Sequence, residues 1–213
     1  MEAGHRPEVE RHGHFWLEVA IASVLGMTAV ATAFSAYQAG KSERGTVAHY
    51  NEGIRDSSVS TGVLLEAEQT LGADQAIFLE YAKAAQQDNL ELAAYLLNNL
   101  MSKNLRAAVL WWSDDRSDKY KSPFVDANPK YDRSGFKIGN HLSDQSDKLF
   151  AQAQKSHKTS NRYDLVTVIL AAALFMLGLA GVLRHYGLRL AFFGIGLLFF
   201  AGGAVQILRI VTG

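Results

Sequence analysis

Three stretches of the chain lack the polar interruptions that mark a helix of a water-soluble core. Residues 19–40, 165–183 and 190–208 contain no charged side chain. A hydrocarbon layer of ~30 Å needs about 20 helical residues at ~1.5 Å each, so every stretch is long enough to span. The runs "VILAAALFMLGLAGVL" and "LAFFGIGLLFFAGGAVQIL" show no polar stripe at helical spacing. Only "RHYGLR" joins the last two, which predicts a tight antiparallel hairpin. The first stretch follows Arg6 and Arg11 and carries an A-x-A at 31–33, the flanks of a secretion signal. Its apolar run is longer than a typical signal core of roughly 7–15 residues, so a retained anchor is expected.

Between the first and second stretches, residues 41–162 are polar and hold 16 Lys+Arg against 16 Asp+Glu. A segment this charged belongs in water. The helical pattern of the first span runs on through Val47, Tyr50 and Ile54 and on to Leu64 and Leu71, with Gly72 as the expected stop. Ile77, Tyr81 and Ala84 share one face of a following helix. Asp88 reads as the N-cap of another, which carries Leu92, Leu96 and Leu100 down one stripe and ends at Trp111 and Trp112. Pro123 and Pro129 break helix in the loop after it, and a last polar helix from about Phe136 leads into the second span. The prediction is an all-α integral membrane protein with three transmembrane helices. Two of these extend into a helical water-facing domain with a small helical hairpin cap. Its parts are an N-terminal arm 1–14, spans 15–40, 163–183 and 190–208, the water-facing domain 41–162, a short basic loop 184–189 and a tail 209–213.

Inside the first span, small residues recur at Ala22, Gly26, Ala29, Ala33, Ala36 and Gly40, in alternating steps of four and three. Helices in lipid associate by close packing, which small residues permit, so this stripe is the predicted packing seam. It could face the second span of the same chain or the same helix of a neighbour. Glu18 at the entry of the first span lies on the same side as Arg184 and Arg189, and an ion pair with either would tie the span to the hairpin. No charge lies near the middle of a span, which argues against a proton relay or ion transporter. Short basic segments favour the cytoplasm. Arg6, Arg11, Arg184 and Arg189 therefore place the N-terminus inside and residues 41–162 outside.

Charge and composition narrow the chemistry. Lys+Arg and Asp+Glu both number 21, and this even balance argues against nucleic acid as a partner. The absence of Cys excludes disulfides and thiolate metal sites. His5, His12 and His14 on the arm, with His185, are the nearest approach to a metal set, and no metal or other cofactor is expected. The common hydrolase, P-loop and dinucleotide motifs are missing, so no catalytic residue is assigned. Trp111 and Trp112 either fill the core under the following loop or anchor a partner, since Trp often dominates interface energy.

"ATAFSAYQAGKS" at 31–42 resembles the first-span exit of a family of uncharacterised bacterial three-span membrane proteins, which reads A-T-A-[WF]-S-x-Y-Q-A. "FLEYAKAAQQDNLELAAYLLNNL" is similar to that family's helical hairpin, and "SNRYDLVTVILAAALFMLGLAG" to its second span. "SPFVDANPKY" resembles its Pro-Phe-x-x-Pro-x-Tyr loop, but four residues separate Phe124 from Pro129 where the pattern has two. The resemblance implies the same three-span architecture with a basic hairpin loop, in a bacterial cytoplasmic (inner) membrane. It implies no activity. The expected role is a non-enzymatic scaffold or accessory subunit, with the lipid bilayer and other membrane subunits as partners. The alternative is a self-assembling homo-oligomer acting as a pore or envelope sensor.

Overall fold

The computed structural model describes residues 8–114 and 116–212, with side chains from Phe15 onward. Five α-helices follow in chain order: α1 Glu8–Gln86, α2 Leu90–Tyr95, α3 Lys103–Ser113, α4 Ser134–Val182 and α5 Tyr186–Thr212. A π-helical turn, Leu96–Leu100, continues α2. The described residues contain no strand. Three helices, α1, α4 and α5, are long and apolar enough to cross a membrane. The chain divides into two compact units. The first comprises residues 1–50 and 150–213, the second 51–149. Helices α1 and α4 contribute to both.

In the first unit, α1 buries Ile21, Thr28, Ser35, Ala39 and Thr46, while α4 buries Ala153, Ser160, Val166, Leu170, Ala173, Leu177 and Ala180. The α4 positions from Val166 on alternate steps of four and three, the spacing that keeps one helical seam on a partner. Ser160 Oγ donates to the Ala39 carbonyl at 3.0 Å, linking the two helices directly. The hydroxyls of Thr28 and Thr32 donate to carbonyls one turn back, at 2.7 Å each, so they enter an apolar environment already paired. Helix α5 docks on α4 through Gly196 and Gly203. A Cβ built there would lie 2.7 Å from Leu177 Cγ and 2.6 Å from Leu170 Cδ2 respectively, so both glycines are required by close approach.

The predicted seam on α1 does not make this interface. Ala22, Gly26, Ala29, Ala33, Ala36 and Gly40 are all exposed, and a Cβ on Gly26 or Gly40 would meet nothing within 4 Å. Of the two faces the seam could meet, the second span of the same chain is not the one. The physical reason is polarity. Burying Thr28, whose hydroxyl is paired with the Val24 carbonyl, removes a polar group from the apolar surface, whereas Ala and Gly cost nothing there.

The second unit repeats the device in a reciprocal form. Ser60 Oγ of α1 donates to the Gly139 carbonyl of α4 at 2.7 Å, and Ser146 Oγ of α4 donates to the Gly53 carbonyl of α1 at 2.9 Å. Both Ser and both Gly are buried. Gly53 and Ser60, like Gly139 and Ser146, are seven residues apart, two turns of a helix that faces one antiparallel partner. A Cβ on Gly139 would stand 2.5 Å from Leu64 Cγ. Gly139→Val should therefore destabilise the unit by about 1–3 kcal/mol through overpacking, with Gly139→Ala at the low end. Thermal unfolding of the full chain checks this, and a valine variant melting with wild type would refute the close approach.

Three local expectations are corrected here. Helix α1 does not stop at Gly72 but runs to Gln86, because an interior Gly costs only about 1 kcal/mol and the packing of Ile77, Phe78 and Tyr81 outweighs it. Asp88 is not an N-cap. It takes the left-handed conformation, φ 53°, just past the end of α1. There Asn89 N donates to Ala84 O at 2.9 Å and Asp88 N to Ala85 O at 3.2 Å, the two bonds that close a helix C-terminus. Asn89 then caps α2 by accepting from Leu92 N at 3.2 Å. The long helix expected to end at Trp112 is broken at Met101 and Ser102. The π-turn ends with Met101 N bonding Leu96 O at 3.0 Å, and Ser102 restarts the helix by accepting from Leu105 N at 3.0 Å.

Candidate functional sites: a carboxylate hub and a buried arginine

Two constellations gather polar groups that apolar packing alone would not place together. The one in the second unit centres on Asp74, a buried residue near the C-terminal part of α1. Its Oδ1 accepts from Ser102 Oγ and its Oδ2 from Tyr131 Oη, both at 3.1 Å. Since Ser102 caps α3, one carboxylate ties α1 to the α3 N-terminus and to the loop before α4. Neighbouring residues extend the network. Asn104 Oδ1 accepts from Asp132 N at 2.6 Å, and Asp132 Oδ1 accepts from Ser134 N at 2.8 Å, capping α4. Buried Asn128 donates to the carbonyls of Ala108 and Pro123 at 3.2 and 2.7 Å. Beside the hub lies a cavity of about 360 Å³ lined partly by Thr70, Asn104, Tyr131 and Arg133. Arg133 is already engaged with Asp126 and the Phe124 carbonyl.

Two of these groups titrate abnormally. The Ser134 amide, as the main cause, holds the exposed Asp132 carboxyl below its ordinary range. Its contribution is therefore present above the ordinary carboxylate pKa and lost as pH falls. Tyr131 moves the other way. Burial first, and the Asp74 carboxylate second, push its phenol far above the ordinary value. The folded pKa exceeds the unfolded one of about 10, so this contribution is complete below that pH and is lost only as pH rises past it. Tyr131→Phe should leave the tyrosinate absorbance rise around pH ~10–11 unchanged, because Tyr131 does not ionise there in the folded chain. A clear drop in that amplitude would contradict a buried phenol.

The tryptophans singled out from sequence sit beside this hub and contact the loop that follows α3. Trp112 is half-buried, donates through Nε1 to the Tyr120 carbonyl, and meets Phe78 edge-on at 5.4 Å between centroids. Trp111 stacks on Tyr120 at 5.7 Å, and the Arg116 guanidinium lies 4.9 Å from its ring centroid. Phe78 also packs on Phe124, which packs on Tyr131, so the aromatic cluster joins the hub. Both Trp side chains thus hold the loop that follows α3. The sequence pattern did not single out Asp74, Ser102 or Tyr131. A lone Asp inside a helical stretch carries no spacing signal, and its partners lie 28 and 57 residues away.

The second constellation belongs to the first unit. Arg189, near the start of α5, has a side chain only 11% exposed, and its Nη1 lies 3.3 Å from Glu18 Oε1. Glu18 itself is 60% exposed. Arg184 is exposed in the short link between α4 and α5 and does not enter this pair. The Arg189 Nε is buried with no hydrogen-bond partner. A cleft of about 300 Å³ adjoins the guanidinium, walled by Ile21, Leu25 and Leu177. Among the described residues no group of His, Asp and Glu is placed to hold a metal ion. The side chains of His5, His12, His14, Arg6 and Arg11 lie outside the described residues, and His185 is exposed. Compared with protein-family models, curated proteins and solved structures, the chain matches none.

Proposed function

We propose that the chain is a non-enzymatic scaffold or accessory subunit of a membrane assembly. Its three apolar helices cross the bilayer, and its polar helical unit projects into water. The observation that carries this reading is the free face of α1. The chain buries one stripe of that helix, Ile21, Thr28 and Ser35, and leaves the small-residue seam from Ala22 to Gly40 bare. Bulky side chains at Met27, Val30, Phe175, Leu198 and Leu208 are exposed too, which lipid or a neighbouring span accommodates and water does not. The buried groups of the polar unit tie helices and loops together, which suits a rigid holder of partners better than a catalyst. The resemblance to uncharacterised bacterial three-span proteins supports a bacterial inner membrane as its location. The basic hairpin loop favours an N-terminus in the cytoplasm, with residues 41–162 outside.

The same bare seam supports a second reading, a homo-oligomer acting as a pore or envelope sensor, because a small-residue face can pack against its own copy. Purification in mild detergent separates the two. Stoichiometric foreign subunits support the accessory role, and a single species at a multiple of 23.3 kDa supports self-assembly. In either case Ala29→Leu or Ala33→Leu should loosen the complex. A chain that remains monomeric and partnerless in membranes would overturn both.

A further inference from the structure

We propose that the cleft beside Arg189 binds the phosphate of an anionic membrane lipid, with one acyl chain lying along its apolar wall. This rests on the membrane reading above. A guanidinium almost enclosed by three helices presents five donors. Here Nη1 meets Glu18, while Nε has no partner at all. A buried charge in that condition gains from a second anion, and phosphate matches the planar fork of Arg bidentately. Glu18 is mostly exposed, so its carboxylate can turn to water when another anion takes its place. The cleft is amphipathic in the right order. Charge stands at the Glu18–Arg189 end, and Ile21, Leu25 and Leu177 continue it as hydrocarbon. Its floor is open at Gly178 and Gly181, where an added Cβ would meet nothing within 4 Å. An inorganic anion would use the charge alone, whereas a lipid uses the wall as well.

The test uses the full chain in neutral detergent, titrated with phosphatidylglycerol and counted by native mass spectrometry. Diacylglycerol and inorganic phosphate serve as separate arms. One tight phosphatidylglycerol per chain is expected, weakened about tenfold in Arg189→Gln and by less in Arg189→Lys, which keeps the charge but loses the fork. Glu18→Gln should strengthen binding, because it removes the competing carboxylate and keeps the fold. Gly181→Leu should abolish it by filling the floor while leaving Arg189 in place. Equal binding by wild type and Arg189→Gln, or weaker binding by Glu18→Gln, overturns the proposal. Inorganic phosphate stabilising the protein against heat as much as the lipid does would also overturn it, in favour of a free-anion site. Flotation with lipid vesicles is read in parallel. A chain that floats yet ignores the substitutions defeats the lipid site alone, and a chain that does not float defeats the membrane reading and the site with it.

Discussion

Replacing Asp74 by Ala is expected to unlock the α2–α3 region of the second unit while leaving the first unit folded. The carboxylate accepts from two hydroxyls, Ser102 and Tyr131, both at 3.1 Å. Hydrogen bonds to a charged acceptor contribute about 1.5–3 kcal/mol each, and truncation leaves the buried Tyr131 hydroxyl without a partner, while the exposed Ser102 hydroxyl turns to water. A loss of roughly 3 kcal/mol is therefore expected, about a hundredfold faster amide exchange in α3. The effect reaches the backbone because Ser102 is also the α3 cap, accepting from Leu105 N. Asp74→Asn keeps one acceptor and should lose less. In a Tyr131→Phe background the Ala substitution should cost less than it does alone, since one stranded donor has been removed. Additive losses in that double-mutant cycle, or unchanged exchange in α3, would show that Asp74 does not hold these elements together.

Leu105→Ala should cost a similar amount by a different mechanism. Leu105 is fully buried and packs with Met101 and Val109 against Ile77, Phe78, Tyr81, Leu97 and Phe124. Truncating a buried Leu removes transfer free energy and leaves a cavity, together about 2–5 kcal/mol. The aromatic rings around it interlock edge to face, Phe78 on Phe124 and Trp112, Phe124 on Tyr131. Rings held in this way collapse poorly into a void, so the upper half of that range is expected. Thermal unfolding followed by tryptophan fluorescence reads it directly, since Trp112 belongs to the same cluster. Leu105→Met, which conserves volume, should lose less than about 1.5 kcal/mol. If Ala and Met variants melt together, the core is looser than its burial implies.

How much of this was legible in advance varies by residue. The three apolar stretches and the helical nature of the polar region follow from spacing and charge, which act locally. The Glu18 pairing could be narrowed to Arg184 or Arg189 from their shared side. Choosing Arg189 needed the phase of α5, which buries Arg189, Gly196 and Gly203 seven residues apart on one face. The seam from Ala22 to Gly40 is a real periodicity, but a parallel one at Ile21, Thr28 and Ser35 lies beside it, and residue size alone ranked the wrong stripe first for the contact within the chain. Gly72 reads as a stop only if local propensity decides, and here tertiary packing does.

The sequence by itself determined the all-helical class, the three lengths of helix apolar and long enough for a bilayer, and the charged character of what lies between. These depend on side-chain polarity averaged over many turns, so one or two misread residues do not alter them. Only the tertiary structure decided which helix faces meet, that Ser60 and Ser146 reach reciprocally for the Gly139 and Gly53 carbonyls, and that Asp74 joins α1, α3 and the loop before α4. Such contacts depend on helical phase and on partners distant in sequence. A shift of one residue turns a helix face by about 100°, and no local pattern fixes that angle.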